Sequence, residues 1–159
     1  MIPTELQDVL VKEMGSLFSG MQLKNPDGEY VAVNIYPQCL PVPKKDEHEN
    51  TISPFPYVVV RIQEGEGVDE ESGDTCKLMF VVGTFDDDES NQGHKDVLNV
   101  LEKIRQHLFK KRIFNKQFEC VYPYKWTVNE EDVCPYYFGG METNWTVPKL
   151  LFDDEEGLT

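Results

Sequence analysis

Apolar side chains fall on a helical period at the start of the chain. Leu6, Val9, Leu10, Met14, Leu17 and Phe18 recur three and four residues apart, which places them on one helix face. The pattern predicts a helix from Thr4 to Ser19, with Thr4 and Gln7 as a capping box and Gly20 as its stop. Asn25-Pro26-Asp27-Gly28 predicts a turn. Val31, Val33 and Ile35 then alternate, which predicts one strand over Tyr30 to Tyr36. Tyr57 to Gln63 and Cys76 to Phe85 are rich in β-branched and aromatic residues and predict two antiparallel strands. Val97, Val100, Leu101, Ile104 and Leu108 mark the buried stripe of a second helix, Asn91 to Lys111. Ser90 or Asn91 would cap its start, and Lys110, Lys111 and Arg112 suit its negative end. Phe118 to Tyr122 and Lys125 to Val128 read as a strand interrupted at Pro123, and Asn144 to Leu150 as the last strand.

Two segments break the periodicity. Pro37, Pro41, Pro43, Pro54 and Pro56 exclude a helix or central strand between residues 37 and 56. With the polar stretch Lys44 to Thr51 at its centre, this segment is expected to be an extended arm or long loop. Residues 64–75, acidic and Gly-containing, are expected to form the long, mobile tip of a β-hairpin. The element order predicts an α+β fold, with a mainly antiparallel sheet of four to five strands and both helices on one face. Residues 1–152 are expected to form a single domain and residues 153–159 a loose acidic tail.

Charge adds a second pattern. The chain has 159 residues and a formal net charge of -14, from 29 acidic and 15 basic residues. Glu64 to Thr75 carries Glu64, Glu66, Asp69, Glu70, Glu71 and Asp74 without a base. Asp86 to Glu89, Glu130 to Asp132 and Asp153 to Glu156 are the other acidic clusters, and outside all four the chain is slightly basic. Such clusters commonly solvate loops. An overall charge this negative argues against tight nucleic-acid binding through phosphate neutralisation, and against anionic membranes. No apolar run reaches the roughly 18 residues of a membrane span. The N-terminal Met1-Ile2-Pro3-Thr4-Glu5 has neither a basic nor an apolar leader pattern, so the expected compartment is a reducing cytosol. There Cys39, Cys76, Cys120 and Cys134 are expected to be free and mostly buried. Asn144-Trp145-Thr146 matches a glycosylation pattern that has no meaning in that compartment.

The search for chemistry finds little. His48, His94 and His107 have no partner at metal-ligand spacing, and none of the cysteines forms a C-x-x-C pair. Asp86 and Asp88 begin a calcium-loop pattern, which fails because Asn91 and Val97 stand where Gly and Glu are required. They stay as weak metal candidates, and a metal-dependent enzyme would use Asp86, Asp88, Glu89 and His94. Gly65-Glu66-Gly67 sits among acids that would repel a phosphate. The expectation is therefore no enzyme, no cofactor and no metal. Tyr136, Tyr137 and Phe138, next to Gly139-Gly140, read either as core or as a contact patch.

Several of these segments together resemble a known family. Pro56 to Arg61, the acidic turn Phe85-Asp86-Asp87, then Asn91-Gln92-Gly93 and Asp96 are similar to small tail proteins of long-tailed bacteriophages and prophages. So are a turn over Pro135 to Gly139 and a final strand containing Trp145. The similarity points to the tail terminator, or tail-completion, proteins and covers about two thirds of the chain. It implies a small α+β fold, self-association into a ring (a hexamer), and contacts with the tail tube protein and the head-tail connector. It implies assembly in the host bacterial cytoplasm and a place in the virion neck. DNA would pass through the ring without being gripped, and the acids of residues 64–75 are the candidates to face that channel. An alternative is an acidic DNA mimic that inhibits a host DNA-binding protein. Its surface would be interrupted by Lys103, Arg105, Lys110, Lys111 and Arg112.

Overall fold

The structure, a computed structural model, describes residues 2–49, 51–90, 92–129, 131 and 133–149. The proposed acidic tail, the Asn91 cap and the end of the predicted last strand lie outside them. The order is α1 (Ile2–Leu17), β1 (Gln22–Lys24), β2 (Tyr30–Ala32), β3 (Asn34–Pro37), β4 (Tyr57–Glu66) and β5 (Asp74–Phe85). Then follow α2 (His94–Lys111), β6 (Ile113–Phe114), β7 (Phe118–Val128) and β8 (Tyr136–Val147). β3 to β8 form one sheet in the order β3-β4-β5-β8-β7-β6, and β1 and β2 form a separate ribbon. Every pairing is antiparallel except β3 with β4. The fold is therefore α+β as expected, with six strands in the main sheet rather than four or five.

Strand alternation divides the sheet into two faces. Val58, Val60, Cys76, Leu78, Phe80, Val82, Cys120, Met141 and Trp145 point to the helices and join Leu6, Leu10 and Met14 of α1, and Phe18 just after it, in one buried cluster. The predicted stripe of α2, from Val97 to Leu108, completes that cluster. α2 comes close because residue 139 is a glycine. A Cβ there would stand 2.6 Å from Val97 Cγ1 and 3.0 Å from the Thr127 carbonyl oxygen.

The helices also meet through charge. Glu13 of α1 receives Lys111 Nζ, and its other oxygen lies 2.9 Å from His107 Nε2. Burial alone would raise the Glu13 carboxyl, but the bonds from Lys111 and His107 outweigh it and hold it below its usual range.

Four local expectations need correction. The Thr4–Gln7 capping box is absent, since both residues lie inside α1. The Gln7 amide instead donates to the Val60 carbonyl (2.9 Å) and to Gln38 Oε1 (3.0 Å), locking α1 to the sheet. The strand predicted over Tyr30 to Tyr36 is split at Val33. β2 pairs with β1 while β3 pairs with β4, and Val33 at the junction is buried in the core. α2 begins at His94, three residues later than predicted, with Gly93 at its cap and no side-chain capping bond. The interruption at Pro123 is a register shift between Val121 and Lys125 inside one continuous β7.

The last strand is longer than its sequence suggests. β8 begins at Tyr136, so Pro135 to Gly139 is not a turn, and Gly139-Gly140 lies within a strand. None of the four cysteines forms a disulfide, but only Cys76 and Cys120 are buried, and Cys39 and Cys134 are exposed. Burial pushes the Cys120 thiol up to about 12, which keeps it unreactive.

Candidate functional site

The arm leaves the sheet at a side-chain mimic of a strand. Pro37 ends β3, and Gln38 takes a positive φ of 67°. Its amide then bonds the main chain of Ile62 at both ends, through Ile62 N to Oε1 (2.9 Å) and Nε2 to the Ile62 carbonyl (3.2 Å). The arm folds back on itself through a Lys45–Thr51 bridge. Asn34 Nδ2 donates to the Pro54 carbonyl (3.0 Å) and fixes the return.

The arm is less polar than its centre suggests. It encloses a groove of about 610 Å³ lined by Tyr36, Leu40, Val42, Pro43, Ile52 and Pro54, among others. Val42 is 80 % exposed and Ile52 55 %, so this apolar lining faces solvent. The polar run Lys44 to Thr51 concealed the groove in the sequence, because its apolar residues lie on either side of that run.

At the root of the arm the aromatic run finds its place. Phe55 stacks on Tyr57 (5.0 Å between ring centres), Tyr136 (4.9 Å) and Phe138 (5.8 Å), and Tyr136 meets Phe85 (5.4 Å). Tyr136 and Phe138 are thus half-buried on the helix-free face and engaged within the chain. Tyr137 points the other way, against Gly93, where a Cβ would stand 2.2 Å from its ring. Asp86 N donates to the Pro135 carbonyl at 2.9 Å. The structure therefore joins the Asp86, Gly93 and Pro135 segments in one corner. Burial raises the Asp96 carboxyl there, and the charge of Asp86 adds to the shift.

The acids of residues 64–75 divide. β4 and β5 run further than predicted, so Glu64, Glu66 and Asp74 are strand residues and only residues 67–73 form the connection. Asp69 Oδ1 accepts the amides of Glu71 (2.9 Å) and Ser72 (2.5 Å). Lys149 Nζ donates to the carbonyls of Asp69 (2.7 Å) and Ser72 (2.9 Å), so the tip is held in shape. The bonds from Ser72 and Glu71 lower the Asp69 carboxyl, which stays charged.

Asp86 and Asp88 do not converge. Asp86 Oδ1 accepts the Asp88 amide and Asp88 Oδ1 the Ser90 amide, while Asp87 pairs with Lys24 at 2.6 Å. Among the described residues there is no group of three or more His, Cys, Asp or Glu placed to hold a metal ion. Nor is any described helix long and apolar enough to cross a membrane.

The far edge of the sheet carries residues that the sequence reading passed over. β6 pairs only with Phe118 and Glu119, so among the described residues β7 has no strand on the side away from β8 from Val121 to Val128. Tyr122 (62 % exposed) and Trp126 (51 %) stand out there. Phe109 of α2 stacks on Tyr122 (4.7 Å) and Tyr124 (5.0 Å), and the Arg112 guanidinium lies over Phe109 and Tyr122. Arg105, bonded to Glu102, lies along the same side and shares a shallow cleft with Trp126 and Leu98. The signal was present as Tyr122-Pro123-Tyr124-Lys125-Trp126, a dense aromatic run with a cation inside it.

No protein-family model and no curated protein matches the chain.

Proposed function

We propose that this chain is a structural assembly protein that forms a ring at the head-tail junction of a long-tailed bacteriophage, in the role of a tail terminator or tail-completion protein. The observation that carries the reading is the presence of an exposed apolar or aromatic surface at each end of one rigid sheet. On one end stands the arm groove, and on the other the Tyr122–Trp126 edge. Surfaces of this kind are built for protein contact, and two different ones on a single chain allow head-to-tail closure. The ring would meet the tail tube protein on one side and the head-tail connector on the other. It would assemble in the host bacterial cytoplasm and stay in the virion neck.

The acidic hairpin has a part in this role. The tip acids Asp69, Glu70 and Glu71, with Glu64, Glu66 and Asp74 behind them, would keep a DNA channel from gripping phosphate. Deleting the gene from its prophage tests the role. Electron microscopy of an induced lysate is expected to show filled heads and unjoined tails, and normally joined particles would contradict the proposal. In the same assay, neutralising the six acids is expected to leave joined particles with reduced infectivity. Full infectivity would remove the channel assignment.

A further inference from the structure

The regions that carry the two exposed surfaces differ in charge. Residues 102–128, from the second half of α2 through β7, hold seven Lys and Arg against two Glu. Residues 38–75, the arm, β4 and the acidic tip, hold nine acids against three bases. A chain of net charge -14 thus places seven of its 15 Lys and Arg on one half of the sheet and nine of its 29 acids on the other. β4 lies next to the terminal strand β3 and β7 next to the terminal strand β6, so these regions fall on opposite halves of the sheet.

We infer that the aromatic edge of one copy seats in the arm groove of the next, with Trp126 and Tyr122 as the inserted side chains. The inference rests on the assembly reading above and names its interface. Leu40, Val42 and Ile52 supply the apolar walls. Aromatic rings deliver large contact area at low entropic cost, and they dominate binding energy at protein contacts. Lys125, Arg105 and Arg112 flank the inserted rings and meet the field of Glu64, Glu66 and the arm carboxylates of the next copy. The acids set the direction of approach, since two arm ends repel each other and so do two β7 ends. The contact is therefore heterologous. Each copy uses one surface as donor and the other as acceptor, and the chain closes into a ring when the rotation between copies divides a full turn.

Cross-linking between two differently labelled copies tests this. The exposed thiols are first removed as Cys39→Ser and Cys134→Ser. One protein then carries Val42→Cys and the other Thr127→Cys, and a short bis-maleimide is added to each alone and to the mixture. The mixture is expected to give a covalent dimer, and each variant alone none. A dimer from Val42→Cys alone or Thr127→Cys alone would show a two-fold contact and overturn the inference. So would no dimer from the mixture at any concentration that the protein tolerates. Trp126→Ser with Tyr122→Ser is expected to weaken self-association about thirty-fold or more while the circular dichroism spectrum is unchanged. Unchanged association in that variant would also overturn it. Cross-linking in a chain whose gene deletion leaves virions intact would keep the interface and remove the phage role. Unjoined tails on deletion, without cross-linking, would do the reverse.

Discussion

Replacing Trp145 with alanine is expected to cost about 3–5 kcal/mol of folding stability. Trp145 is fully buried and is among the largest side chains in the core. Its ring meets Phe114 edge-on at 5.5 Å and stands in register between Cys76 of β5 and Cys120 of β7. Its Nε1 donates to Thr143 Oγ1 at 2.8 Å, and the Thr143 hydroxyl donates onward to the Leu78 carbonyl at 3.0 Å. Truncation leaves a cavity where β5, β8 and β7 meet Phe114 of β6. Trp145→Phe should cost less. It keeps most of the ring, and Thr143 keeps its bond to Leu78. Urea unfolding checks both, as a fall in midpoint at constant slope. A loss below about 1 kcal/mol for the alanine variant would mean that the β5–β8–β7 packing described above is wrong.

Gly83→Ala is expected to destabilise the chain by about 1–3 kcal/mol through overpacking. A Cβ at residue 83 would stand 2.4 Å from the Tyr57 ring. Tyr57 is buried, and burial pushes its hydroxyl above the usual range, opposed by Arg61. It cannot move without disturbing Phe55, and through Phe55 the return of the arm. The substitution should therefore also speed proteolysis of residues 38–54. A double variant with Tyr57→Ala is expected to lose less stability than the two single losses added together, because the clash is then gone. Additive losses would show that the ring does not lie over residue 83.

The elements that could be read from the sequence are those set by a strong period. α1 and α2 repeat apolar residues over about three turns or more, and the β4–β5 hairpin consists of two long β-branched runs, so local pattern and tertiary packing agree. β8 was misread because Pro135 and Gly139-Gly140 are ordinary turn signals. Here the glycines serve close approach instead, with Gly139 under Val97. Thr4 and Gln7 matched a capping box by spacing, yet Gln7 is needed 53 residues away at Val60. No local signal carries that demand. The Val31–Val33–Ile35 alternation holds as a pattern, but only the fold reveals that the chain changes sheets within it.

The candidate surfaces were legible only in part. The acidic tip and the arm stand out in composition, but the groove depends on the arm folding back through Lys45 and Thr51. The aromatic run of β7 is visible in the sequence, but its place at an edge is not, for a topological reason. An aromatic strand reads the same in the middle of a sheet as at its edge, and only the sheet order exposes Tyr122 and Trp126.

Solution mass across a range of protein concentration tests the central claim most directly. Light scattering on the purified chain is expected to show the 18.4 kDa protomer giving way to one discrete larger species, six protomers in mass, as concentration rises. Raising the salt should disfavour that species, since opposite charges guide the contact. A protomer mass at every concentration would contradict the assembly account, and so would a dimer that never grows.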